Sequence, residues 1–380
     1  MGIVYICPSR FVLATAIDTK KYMLQNIFNK ILYGILTLFG VVTVVFLLFN
    51  VLPGDPASMM LDERQDESQL QVIRQKYGFD KPMHIQYLYY INDLSPLSFH
   101  SQKTAHYTKL DSGKYAVGAK LSIGTVDVVL KAPYLRQSFQ KNGKSVSSII
   151  SETLPNTAIL AVSAIGIALI LGVLFGILTA LYKDTFFDRF VAIVSTIGMS
   201  VPSFLSAIVF AWLFGFVLTE YTNLNMTGSL YEVDDFGEGV YLEWKNLVLP
   251  AIVLGIRPLA VVIQLMRNSL LEVLDMDYIR TAKAKGLSNF QVIRKHALKN
   301  SLNPVVTAIS GWFASMLAGA VFVEYIFNWN GLGKEIVDAL NTLDQPVIMG
   351  AVLIIASLFI VINILVDMIY SWLDPKVRLS

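Results

Sequence analysis

The sequence predicts an all-α polytopic membrane protein: six transmembrane helices, with a large extracytoplasmic α+β insertion after the first. Three observations lead there. Only 15% of the 380 residues are charged and 54% are hydrophobic, where an ordinary soluble chain carries about 25% charge. The deficit falls in blocks: residues 31–53, 153–182, 190–219, 300–323 and 345–366 hold no Asp, Glu, Lys or Arg, and residues 246–266 hold Arg257 alone. Blocks of about 20 residues are what a helix rising 1.5 Å per residue needs to cross a hydrocarbon core about 30 Å thick, and none shows the period-2 alternation of a barrel strand. Third, with both termini cytoplasmic the inside segments carry 15 Lys and Arg, and the two short outside loops carry only Lys245 and Lys334. That is the positive-inside distribution. A disordered chain or coiled coil is excluded, and a net charge of +2 gives nucleic-acid binding no basis.

The elements follow in order. Residues 1–22 form an N-terminal extension whose apolar run is too short and interrupted for a signal peptide; residues 23–53 hold the first transmembrane segment, its own insertion signal. Residues 54–151 form the extracytoplasmic domain, long enough to be translocated regardless of its 12 Lys and Arg. Within it, 69–77 and 84–94 read as short helices separated by GFDKP, with Pro82 suited to a first helical turn. Residues 114–130 alternate as a strand, with Tyr115, Val117, Ala119 and Leu121 on one face. Residues 152–380 form a five-helix transmembrane core with a cytoplasmic coupling loop at 268–302.

Enzyme motifs fail one by one. SFQKNGKS at 138–145 ends like a nucleotide loop but has Ser where GxxxxGK[ST] needs its first Gly, and it falls on the outer side. PGD at 53–55 lacks the first Gly of GxGD, and neither HExxH nor GxSxG occurs. The single Cys7 and the scattered His84, His100, His106 and His296 form no metal set. The expectation is a chain with no catalytic residue, no bound cofactor and no metal.

The most informative segment is 277–300, DYIRTAKAKGLSNFQVIRKHALKN, between the fourth and fifth spans. It reads as a helix through Lys285, a glycine stop at Gly286, an N-cap at Ser288 and a second helix. The pair makes a rigid knob whose apolar Ile279, Ala282, Leu287, Phe290 and Ile293 suit a groove on a partner. An amphipathic pair resting on anionic lipid is the alternative.

These residues resemble the membrane-spanning subunits of ATP-binding-cassette importers, in their peptide and nickel permease branch. YIRTAKAKGL at 278–287 is similar to that branch's form of the EAA loop, with Arg280, Thr281 and Ala282 at its first three positions and Gly286 at its glycine. LLFNVLPGDPA at 47–57, YGFDKPMHIQYLYYINDL at 77–94, VEYIFNWNGLGKEIVDAL at 323–340 and LDPKVRLS at 373–380 extend the resemblance over roughly residues 25–380. Residues 96–131 look like extra sequence relative to a typical member. Residues 1–22 precede the usual beginning, which makes Met23 the expected initiator.

The resemblance implies the ABC importer permease fold in a bacterial cytoplasmic (inner) membrane. It implies partners: a second homologous permease subunit, two ABC ATPase subunits that use ATP and Mg, and an extracytoplasmic substrate-binding protein. It assigns ATPase coupling to Arg280, Thr281, Ala282, Gly286, Leu287, Phe290 and Ile293, and a cargo of di- or oligopeptides, with nickel chelates or glutathione as alternatives. A secondary transporter is less favoured because no inverted repeat is visible. A charge inside a span costs at least about 2.5 kcal/mol and is retained for a cavity or a partner. Arg257 therefore either faces the substrate pathway and attracts a peptide carboxylate or pairs structurally with the partner subunit.

Overall fold

The computed structural model describes residues 29–49, 67–102, 108–111, 113–141, 143–234, 237 and 239–373. The N-terminal extension, the expected start at Met23, the PGD sequence and the terminal 374–380 lie outside them. Among the described residues, four helices are long and apolar enough to cross a membrane: α1 (Asn29–Phe49), α4 (Val146–Leu181), α8 (Lys245–Leu274) and α15, apolar over Gln345–Val366 and continuing to Leu373. The expected third span is a bent pair, α5 (Phe186–Ser200) and α6 (Ser203–Trp212, continued by a π turn Leu213–Val217), meeting at 110°. The cause is Pro202, which has no N–H to continue the ladder and holds Val201 extended at ψ 130°. The expected fifth span is also shorter than its uncharged block: α12 (Asn303–Gly319) starts with Pro304 in its first turn and ends before α13 (Val321–Ile326). Hydropathy located these segments and was blind to their breaks.

The core is organised by α4 against α8. Gly172 and Gly176, one GxxxG step apart, let the backbones approach. A Cβ on Gly172 would stand 2.6 Å from Val262 Cγ1, and one on Gly176 2.6 Å from Met266 Cβ. Gly255 on α8 returns the contact at Ala164, whose carbonyl would be 2.9 Å from its Cβ. Toward the C-terminal end of α8, Arg267 donates from Nε and Nη2 to both carboxylate oxygens of Asp188, at 2.7 and 2.8 Å. This bidentate pair pins the start of α5 to α8.

After α1 the described chain resumes in α2 (Glu67–Tyr77) and α3 (Met83–Leu94), joined through Gly78 at φ +74°. These are the two helices expected around GFDKP. Helix α3 lies on α1: Phe46 packs between Tyr87 and Tyr90, and the Thr43 and Tyr87 hydroxyls are 2.6 Å apart. The single strand expected over 114–130 is instead a hairpin, β2 (Val117–Ile123) and β3 (Val126–Lys131), turning at Gly124, φ +61°. With β1 (Leu97–Ser101) it makes an antiparallel sheet ordered β1-β3-β2. The register shifts between Val117 and Ala119, and Tyr115 is buried while Val117 and Leu121 are exposed, so those residues do not share one face.

This sheet is polar inside. Ser98, His100, Asp127 and Lys131 are buried with Val129 while Leu97, Phe99 and Leu130 are exposed, and the buried polar groups are hydrogen-bonded, one set of them around Asp93. Its carboxylate accepts from Tyr115 Oη and Arg136 Nε, each at 2.9 Å, and its backbone carbonyl accepts from Lys131 Nζ. His100 is held between the Ser98 hydroxyl at 2.9 Å and the Thr108 carbonyl at 3.0 Å, and burial pushes its imidazole below the usual value. The native chain then binds fewer protons than the unfolded chain as pH drops below about 6.5, so stability present above that value is lost on acidification. Hydrogen exchange of β3 amides, corrected for intrinsic rate, should show lower protection at about pH 5 than at about pH 7.5; equal protection would assign His100 no role.

The near-nucleotide loop holds a carboxylate of its own chain. Buried Asp344 accepts from the Ser138 hydroxyl and from the backbone N–H groups of Phe139 and Gln140, at 3.1 and 3.3 Å. Lys141 adds an ion pair to Glu335 on α14 (Leu332–Asn341) at 2.6 Å. The chain between α3 and α4 is thereby fastened to the junction of α14 and α15.

Candidate coupling surface and transmembrane arginine

Helix α8 runs past Arg267 to Leu274, and the chain folds back as α9 (Asp277–Ala284). Helix α9 ends in a Schellman motif: Gly286 N donates to Lys283 O at 2.9 Å and Leu287 N to Ala282 O at 3.4 Å, with Gly286 at φ +83°. Ser288 then caps α10 (Asn289–Val292) in a reciprocal box with Gln291. A π turn (Ile293–Ala297) and α11 (Leu298–Ser301) lead into α12. The Tyr278 hydroxyl accepts from Asn300 Nδ2 at 2.9 Å, tying the two ends of the segment together. Stop and cap fall at the residues the sequence indicated.

The apolar members divide. Ile279 and Ala282 are buried against Val292, Ala297, Met266, Leu270 and Val273 of the same chain, so they brace the knob and are not available to a partner's groove. Leu287 and Ile293 are half-buried, and Leu287 packs on that core. Phe290 is 70% exposed. In the same segment Arg280, Thr281, Lys283, Lys285, Gly286, Arg294, Lys295 and Lys299 are exposed, Arg280 making only a loose pair with Asp277 at 3.6 Å. Phe290 is thus the most exposed apolar side chain of the segment, ahead of Met276 and Tyr278, and a buried apolar base ties the segment to α8. The sequence missed that base because the burial of Ile279 and Ala282 depends on α8 extending beyond its uncharged block.

Arg257 lies on α8 about 18 Å from the helix's N-terminal end and about 15 Å from Arg267. It is exposed, and its Nε donates to the Met199 carbonyl in the last turn of α5 at 3.4 Å. The structure gives it a backbone partner within the chain, at the α5–α6 break, and does not bring it near the coupling residues. Asp188, Arg267 and the Gly172–Gly176 spacing were not recognised in the sequence, although a GxxxG step in an apolar run is a legible signal. Among the described residues no group of His, Cys, Asp and Glu could hold a metal ion.

Comparison with known proteins places this architecture. The sequence model of the family described as binding-protein-dependent transport system inner membrane component matches residues 172–379. The model for the N-terminal part of such membrane components matches residues 23–112, so the first part of the 96–131 stretch falls within it. The dipeptide transport system permease protein DppB of Alkalihalophilus pseudofirmus is 32% identical over 369 residues, covering 94% of this chain and 100% of that one. The Escherichia coli K12 dipeptide transport system permease protein DppB is 32% identical over 383 residues, covering 94% and 99%. Among solved structures, an inward-facing MetNI methionine ABC transporter aligns with 60% of this chain and 97% of its own at a TM-score of 0.46 and 14% identity.

Proposed function

The chain belongs to the family of binding-protein-dependent transport system inner membrane components, and we propose that it is one membrane-spanning subunit of an ATP-driven importer of di- or oligopeptides. Its relatives are peptide permeases by name. It performs no bond chemistry and binds no cofactor; two cytoplasmic ABC ATPase subunits use ATP and Mg. It forms half of the pathway with a second homologous permease, receives cargo from an extracytoplasmic substrate-binding protein, and crosses the bacterial inner membrane six times through α1, α4, α5–α6, α8, α12 and α15, with both termini cytoplasmic.

The observation that carries the reading is the braced knob with exposed Phe290. A coupling element must transmit force, so it must be rigid and rooted in the spans. The Schellman stop, the capping box and the buried Ile279 and Ala282 supply rigidity, and packing on Met266 and Leu270 of α8 supplies the root. Closure of an ATPase around Phe290 would then turn α8 as a rigid body, the kind of change alternating access requires. The test is reconstitution: this chain, its homologous permease, the ATPases and the binding protein in proteoliposomes, with labelled dipeptide outside. Uptake should require both enclosed ATP and the binding protein. Uptake driven by an ion gradient without ATP would replace this reading with secondary transport.

A further inference from the structure

We infer that Arg257 is a recognition residue for the carboxylate of the transported peptide, presented at mid-depth beside the break between α5 and α6. The inference rests on the peptide-import reading and adds the site and the group recognised.

The argument begins with the cost of the charge. A guanidinium at mid-depth in a span is retained only where a cavity or a partner repays its desolvation. Among the described residues, Arg257 has one hydrogen bond, from Nε to Met199 O, and no carboxylate within ion-pair distance. Met199 belongs to the last turn of α5, whose carbonyls lack intrahelical partners and carry the negative end of the helix dipole. The bond therefore fixes one edge of the guanidinium on a helix end and leaves Nη1 and Nη2 directed elsewhere. That fork is the donor geometry that matches a carboxylate with two parallel bonds.

The surroundings suit a hydrated track rather than lipid. Gln264 lies seven residues along α8 from Arg257 and Asn268 eleven, the spacing of one helical stripe. Gln264 Nε2 also reaches Met199, at Sδ, 3.5 Å away, so Arg257 and Gln264 flank the same α5 residue. Asn268, exposed, continues the stripe to the inner end beside Arg267. A polar stripe headed by a cation, on a helix otherwise rich in Val, Leu and Ile, lies against a span broken by 110°. Secondary transporters place substrate sites at discontinuous helices with uncovered carbonyls, and the α5–α6 break offers the same kind of groups.

The carboxylate could come from the C-terminus of the peptide or from an acidic residue of the second permease, and the experiment separates them. The assembled permease–ATPase complex, purified without binding protein, is examined by saturation-transfer NMR with an alanyl-phenylalanine dipeptide and with its C-terminal amide. Wild type should favour the free acid by roughly tenfold, the worth of one charge-assisted contact. Arg257→Gln should bring the two signals to the same low level, and Arg257→Lys should keep part of the preference while assembly is unchanged. Equal signals in wild type, absence of binding by both, or a preference that survives Arg257→Gln would overturn the inference. So would loss of assembly in Arg257→Gln restored by Arg257→Lys, which would give the arginine to the partner subunit. Dipeptide uptake by the wild-type complex is measured in parallel: intact uptake with no acid preference sinks this inference alone, and absence of ATP-driven uptake sinks the import reading beneath it.

Discussion

Gly176→Leu is expected to abolish accumulation of folded protein in the membrane. A Cβ at this position would already lie 2.6 Å from Met266 Cβ and 3.0 Å from the Ile263 carbonyl, closer than real contacts allow, and leucine adds three more carbons in the same direction. Neither obstacle yields cheaply, because the carbonyl belongs to the α8 backbone and Met266 is fully buried. Helices α4 and α8 would have to separate, uncovering the core that also seats Ile279 and Ala282. A cost of about 3 kcal/mol or more, at the upper end for overpacking, is a large share of a domain's stability. Gly166→Ala on the same helix is the control, since nothing lies within 4 Å of its Cβ position. Size-exclusion profiles of detergent extracts should show a monodisperse peak for Gly166→Ala and none for Gly176→Leu; two normal peaks would mean that α4 and α8 are not closely packed in the membrane.

The second large effect is on coupling, with the fold intact. Phe290→Asp places a charge where a 70% exposed ring stands, so the isolated chain loses little, while a partner groove built for an aromatic meets a carboxylate. A buried interface anchor is worth about 2 kcal/mol or more, and an unpaired buried charge costs still more. Gly286→Val acts differently. Space is open around Gly286, but φ is +83°, so the cost is conformational, roughly 1 kcal/mol or more for a β-branched residue, and it is relieved by tilting α10 against α9. Both variants should insert and extract normally and lose at least tenfold in ATP-driven dipeptide uptake. Phe290→Asp should also lose ATPase co-purification, whereas Gly286→Val should retain part of it with hydrolysis no longer tied to substrate. Normal uptake by both variants would assign the segment to the lipid surface.

The particular residues show how far the sequence could be read. The knob was legible because its signals are local: Gly286 stops a helix and Ser288 starts one whatever surrounds them. The four long apolar helices were legible because charge avoidance is a property of composition. What escaped was direction. Pro202 sits in an uncharged block and reads as apolar, yet it turns the chain through 110°. The alternation from Tyr115 to Leu121 was visible, but β2 is exposed on both faces and Tyr115 alone of these joins the cluster of Asp93, Lys131 and Arg136, which only tertiary partners could reveal. SFQKNGKS was tested as a phosphate loop, whereas the anion it holds, Asp344, lies some 200 residues away. Ile279 and Ala282 were grouped with Phe290 by their apolarity, and the fold separates base from tip.

The claim that this tip engages the ATPase is tested most directly by cross-linking. The sequence has one cysteine, Cys7, so Phe290→Cys in a Cys7→Ser background offers a single thiol on the knob. In membranes holding the assembled complex, a short thiol cross-linker should join that position to an ATPase subunit in high yield, with the yield changing when ATP is bound. Labelling of the thiol by a lipid-borne reagent, with no cross-link to either ATPase in any nucleotide state, would contradict the account.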